Sequence, residues 1–108
     1  MARIVAIVSD LMLASRVSES LKAAGHEVSV ASTLPDPLEA EVIVCDLDIA
    51  DIDAVAAAPL PTLGFYSHVD VETKQHAKAA GLTLVVPRSR MSRELPKLVD
   101  GLLNPAEN

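Results

Sequence analysis

Cysteine is nearly absent: Cys45 alone cannot close an internal disulfide, which excludes a disulfide scaffold and a cysteine-based zinc knuckle. Its place inside an apolar run predicts a buried, inert thiol. Tryptophan is missing and the aromatics are just Phe65 and Tyr66, too few for a base-stacking platform or an aromatic cage. Positive charge is scarce as well. Nine Lys and Arg face fifteen Asp and Glu, a net charge of −6, which argues against a protein that neutralises phosphates along a duplex. The four glycines, Gly25, Gly64, Gly81 and Gly101, are too scattered to form a phosphate-cradling loop. No stretch free of charge and proline reaches the roughly 18 to 20 apolar residues that span a bilayer, although mean hydropathy is +0.33. The apolar run after Met1-Ala2-Arg3 is too short for a signal peptide, so a cytoplasmic chain is expected.

At 108 residues there is material for one core and no more. A single domain is predicted over 1–103, with 104–108 as a flexible tail. Residues 4–8 form a short β-branched run suited to a strand buried on both faces, as in a parallel sheet. Ser9-Asp10 then offers a helix cap, and Leu13, Val17, Ser20/Leu21 and Ala24 recur at helical spacing until Gly25. Further strands are predicted over 28–31, 41–45, 62–66 and 82–86. Pro35 and Pro37 confine the second connection to a helix of a turn or two. The third helix is also short, capped by Asp51 or Asp53, running through Val55 to Ala58 and stopped by Pro59 and Pro61. A fourth is expected from an Asp70 cap, burying Thr73, His76/Ala77 and Ala80 and closing at Gly81. A fifth is expected from about Arg93, with Pro96 in its first turn and Leu95, Leu98/Val99 and Leu102 buried.

Strands alternating with helices imply a doubly wound α/β sheet of five parallel strands in the order 2-1-3-4-5, a flavodoxin-like arrangement. Ligands meet such a sheet beyond the carboxyl ends of its strands. Those ends read Ser9-Asp10, Asp46-Leu47-Asp48, Tyr66-Ser67-His68 and Pro87-Arg88-Ser89. Carboxylates beside a hydroxyl and a fixed cation suit magnesium-assisted transfer of a phosphoryl group to an acid.

With these segments the chain resembles the receiver domains of two-component response regulators over nearly its whole length. Val44-Cys45-Asp46-Leu47-Asp48 resembles the end of the third strand that bears the phosphorylated aspartate, which implies Asp46 as acceptor and the Asp48 carbonyl near the metal. The segment from Gly81 to Arg88 resembles the one that ends in the family's essential lysine, here Arg88. Departures matter equally. Receivers carry two adjacent acids after the first strand where this chain has Ser9-Asp10, and their small hydroxyl residue is matched by Tyr66 or by Ser67 one place later. Arginine also differs from lysine, since its planar fork holds a carboxylate bidentately. The resemblance therefore implies an atypical receiver, or pseudo-receiver, built around Ser9, Asp10, Asp46, Asp48, Tyr66, Ser67 and Arg88. Asp46 is either neutralised by Arg88 or, in the alternative reading, phosphorylated. Any magnesium would sit weakly at Asp10, Asp46 and Asp48, and no other cofactor or metal is expected.

Other chemistry fares worse. Asp48, Asp51 and Asp53 lack the glycine and final glutamate of a calcium loop. Ser67 and His68 are sequence neighbours without a nucleophile elbow. Gly25-His26-Glu27 is similar to cobalamin-binding flavodoxin-like domains but lacks their cobalt-ligating histidine loop, leaving a small ligand-binding domain as a weaker alternative. The expected function is non-enzymatic signalling through protein contacts. Residues 1–69 hold three basic residues against ten acids, whereas 74–97 hold six against Glu94 alone. Lys74, Lys78, Arg90, Arg93 and Lys97 are therefore the expected surface for a partner or a second copy, on the fourth helix, fifth strand and fifth helix. No nucleic acid or membrane is expected there.

Overall fold

A computed structural model describes residues 2–67 and 71–104. Five parallel strands, β1 (Arg3–Ile7), β2 (Glu27–Ala31), β3 (Val42–Asp46), β4 (Thr62–Tyr66) and β5 (Leu84–Pro87), form one sheet in the order β2-β1-β3-β4-β5. Among the described residues α1 (Leu11–Ala23), α2 (Ile52–Ala57) and α3 (Val71–Ala80) connect strands, and α4 (Arg88–Leu103) follows β5. The doubly wound fold and its strand order are those that the alternating pattern predicts.

Period-two alternation divides each central strand between two cores. Ile4, Ala6, Val42, Val44, Leu63, Phe65 and Val86 pack with Leu13, Val17 and Leu21 of α1 and with Met91, Leu95 and Val99 of α4. Val5, Ile7, Ile43, Cys45 and Leu47 face the other way, against Ile52 and Val55 of α2 and Ala77 of α3. Both β1 and β3 are buried on each side, which is why their sequences read as continuous apolar runs. Cys45 is a free, buried thiol whose pKa is pushed up to about 12, chiefly by burial. Gly25 and Gly81, with φ of 95° and 98°, follow α1 and α3 in the left-handed conformation that ends a helix.

Three expectations need correction. Between β2 and β3 there is no second helix. Pro35 and Pro37 remove two N–H donors and push their preceding residues out of the helical region, so Leu34, Leu38 and Ala40 cover the second core from a loop. The last helix starts at Arg88, not near Arg93, and Pro96 lies in its interior. Met91, Leu95, Leu98 and Val99 are all buried along it, and a single apolar stripe of that size outweighs the roughly 3 kcal/mol cost of an interior proline. Finally, His76 is exposed on α3, where its Nε2 lies 2.8 Å from Asp53 Oδ1 on α2, and Ala77 supplies the buried contact. The expected cap Asp70, the residue His68 and residues 105–108 of the expected tail lie outside the described residues.

Candidate functional site at the carboxyl ends of the strands

Parallel pairing brings the strand ends level. Ile7 pairs with Cys45, Asp46 with Phe65 and Tyr66 with Pro87. Asp46 therefore closes β3 with the parity of Val42 and Val44, on the side of the sheet covered by α1 and α4. It is only 8% exposed. Its Oδ1 accepts a 2.9 Å hydrogen bond from the Asp48 N–H, and its carbonyl accepts from the Ile49 and Ala50 N–H groups. The acid thus folds the chain back on itself in an Asx turn. Leu47 anchors that turn from the other face: its N–H donates to the Phe65 carbonyl at 2.9 Å. Its side chain fills the space above Gly64, where an added Cβ would meet Leu47 Cδ2 at 2.8 Å and Leu82 Cδ2 at 2.9 Å.

Burial is the main reason that the Asp46 carboxyl sits above its ordinary 3.8, because ionisation there sacrifices hydration. The Asp48 N–H opposes this shift, the negative charge of Asp48 adds to it, Arg88 opposes it and Asp10 adds to it, in decreasing order. Four of the seven residues read from the strand ends, Asp10, Asp46, Asp48 and Arg88, thus share one electrostatic site.

Asp10 engages as the cap that the sequence offers, whereas Arg88 does not pair as expected. Asp10 is the N-cap of α1, and its Oδ1 accepts from the Met12 and Leu13 N–H groups at 2.9 and 3.1 Å. Asp48 Oδ2 accepts a long, 3.4 Å bond from the Ser67 N–H, tying the end of β3 to that of β4. Arg88 acts on Asp46 through space: no ion pair within 4.0 Å joins them among the described residues, so the expected direct pairing is not formed. The cause lies in the backbone. Arg88 is the first residue of α4, and a side chain there is carried by the helix rather than by an extension of β5. Tyr66 is half-buried against the second core, on the opposite side from Asp46 by strand parity, whereas Ser67 and Ser9 are exposed. Among the described residues no three His, Cys, Asp or Glu side chains converge in a way that would hold a metal ion. Asp10 and Asp46 each give Oδ1 to backbone N–H groups, which leaves one oxygen of each carboxylate outside these bonds.

Away from this site, Arg90, Arg93 and Lys97 lie exposed along one side of α4, at the spacing that aligns side chains on a helix. Glu94 Oε2 lies 3.3 Å from Arg90 Nε and 3.9 Å from Arg93 Nη2. Lys74 and Lys78 stand on α3. Because α3 and α4 cover opposite faces of the sheet, the two sets of cations lie on opposite sides of it. His26, by contrast, is a residue whose role the sequence did not disclose. Its Nδ1 accepts from the Ala2 N–H at 3.2 Å, and its buried Nε2 has no hydrogen bond and lies 3.7 Å from Asp100 Oδ1.

No protein-family model matches the chain, and no curated protein matches it. Solved structures do. NtrX from Brucella abortus superposes with a TM-score of 0.83 at 16% identity, covering 98% of this chain but 27% of NtrX. The chemotaxis response regulator CheY4 of Vibrio cholerae gives a TM-score of 0.79 at 23% identity, over 94% of this chain and 98% of CheY4. The receiver domain of the Francisella response regulator 1452 gives 0.81 at 15%, over 98% and 99%. At these identities the likeness is one of fold, the fold of response-regulator receiver domains.

Proposed function

We propose that the chain is a cytoplasmic receiver-like signalling module that acts by binding other proteins, without magnesium-dependent phosphorylation of Asp46. The observation that carries this reading is the engagement of Asp10, whose Oδ1 caps α1 through two N–H groups. Where a receiver places two adjacent acids, this chain has one, and that one is committed to its helix. Asp46 adds to the difficulty, because its carboxyl already gives Oδ1 to Asp48 and burial disfavours its charge. A metal would find one oxygen of each acid already shared with backbone donors, and one acid where a receiver offers two, which leaves less charge to offset its dehydration.

The partner surface in this reading is the basic edge formed by Lys74, Lys78, Arg90, Arg93 and Lys97. It suits an acidic signalling protein, or the acidic half of a second copy, which long-range attraction would bring in faster at low salt. A second reading, Asp46 as a phosphoacceptor, is favoured by the position of that residue at the end of β3 among Asp10, Asp48 and Arg88. Incubating the chain with magnesium and acetyl phosphate and recording the intact mass separates the two. The expected spectrum is that of the unmodified chain, and a stoichiometric phosphate adduct that Asp46→Ala abolishes would establish the second reading.

A further inference from the structure

We infer that the face of the sheet beside the helix-free β2–β3 connection seats a basic amphipathic helix from a partner protein. This surface is distinct from the basic edge, and a helix seated on it is independent of that reading. Where each other crossover supplies a helix, residues 32–41 form a loop, and between that loop and α2 lies a cavity of about 340 Å3. Ile7 forms its floor, with Leu34, Ile49, Ala54 and Val55 around it and the exposed Ser32 at its mouth. That volume falls within the roughly 300–1,000 Å3 of pockets that take ligands. Ile49 is 41% exposed there, a large apolar side chain left uncovered beside the turn that Asp46 closes.

The surroundings carry one sign of charge. Between Lys22 and Lys74 the sequence contains no Lys or Arg, and Asp36, Glu39, Asp48, Asp51 and Asp53 are exposed on the segments that border the cavity. A mostly apolar hollow with an acidic rim is the complement of a helix that presents apolar side chains at three- and four-residue spacing, flanked by Lys and Arg. The long aliphatic stems of those cations would cover apolar surface while their heads reach the carboxylates. A second copy of this chain fits less well. Its basic helix α4 has Met91, Leu95, Leu98 and Val99 buried in its own core, so the face that it could offer matches the acids but has nothing to enter the hollow.

The test uses the full chain, labelled for amide NMR, and three synthetic helical peptides: one of Leu and Lys in amphipathic order, one with each Leu replaced by Ser, and one with each Lys replaced by Glu. The Leu/Lys peptide is expected to bind saturably and shift the amides of Ile7, Leu34, Ile49 and Ala54, while the other two leave them in place. Ala54→Arg and Ser32→Arg put a cation at the mouth from exposed positions. Each is expected to keep the dispersed spectrum of the folded chain and to weaken the Leu/Lys peptide about tenfold or more, whereas Arg90→Glu with Arg93→Glu leaves its affinity unchanged. Equal binding by the Ser/Lys peptide would overturn the inference, as would indifference to both cavity variants. Self-association that those variants abolish would overturn it too, by making a second copy the occupant.

Discussion

Asp46 and Asp48 are joined by a 2.9 Å hydrogen bond in which the Asp48 N–H donates to Asp46 Oδ1, so the acid that ends β3 is held by the turn it starts. That bond favours the charged carboxylate, yet burial outweighs it and the net shift of the Asp46 pKa is upward from 3.8.

A raised carboxyl pKa in the folded state means that folding takes up a proton, so this group's contribution to stability falls as pH rises from 3.8 through the folded value. Asp46→Asn keeps an oxygen for the Asp48 N–H and removes the buried charge. It is expected to stabilise the chain at neutral pH, with the gain fading as pH falls towards 3.8. Thermal melts of both proteins across that range provide the measurement.

Asp10 serves two roles that two substitutions separate. Asp10→Ala removes the cap of α1 and is expected to cost about 1 kcal/mol in a urea titration, while Asp10→Asn, an equally good cap, is expected to cost little. Both remove a negative charge that raises the Asp46 pKa, so in a carbon-13 titration of the Asp46 carboxyl both are expected to move its midpoint down.

For Arg88 the expected signs are reversed and the cost is small. It makes no ion pair within 4.0 Å among the described residues and starts a helix whose N-terminus already repels cations. Arg88→Ala is expected to change unfolding free energy by no more than about 0.5 kcal/mol, and to move the Asp46 midpoint up because Arg88 lowers it.

Gly64 is the point where the sheet limits side-chain volume. A Cβ there would come within 2.9 Å of methyl groups on two leucines, both buried, so Gly64→Ala is expected to destabilise by about 1–3 kcal/mol. Because Leu47 lies between Asp46 and Asp48, the amide of Asp48 is expected to shift as well. Gly81→Ala meets no atom within 4 Å but sits at a φ of +98°; about 1 kcal/mol of backbone strain is expected there, with the Asp48 amide undisturbed.

The strands were legible because β1 and β3 concentrate β-branched and aliphatic residues in short apolar runs and β4 is an apolar stretch that follows Pro61, and buried parallel strands need little else. Asp10 as a cap was legible for the same local reason. The start of α4 was not: an internal proline and an early helix start pull the reading in opposite directions, and burial of Met91, three residues after Arg88, decides the matter only in three dimensions. That displacement also hid the separation of Arg88 from Asp46, since the distance depends on where β5 gives way to helix. The parity that turns Tyr66 away from Asp46 was present in the sequence, in the alternation of Leu63, Gly64 and Phe65, but assigning it required knowing which face each helix covers. For the cavity beside Ser32 and Ile49 the local signal was Pro35 and Pro37, which restrict the connection, but the hollow between that loop and α2 exists only once the chain is folded.

Titrating magnesium, first alone and then with beryllofluoride as a phosphoryl mimic, into the amide-labelled chain tests most directly whether this receiver fold has given up its phosphorylation chemistry. With one acid where a receiver has two, and one oxygen each of Asp10 and Asp46 held by backbone donors, the amides of Asp10, Asp46, Asp48 and Arg88 are expected to show only small, non-saturating changes, the same with and without the mimic. Saturable magnesium shifts at those amides, strengthened by beryllofluoride and lost in Asp46→Asn, would contradict it.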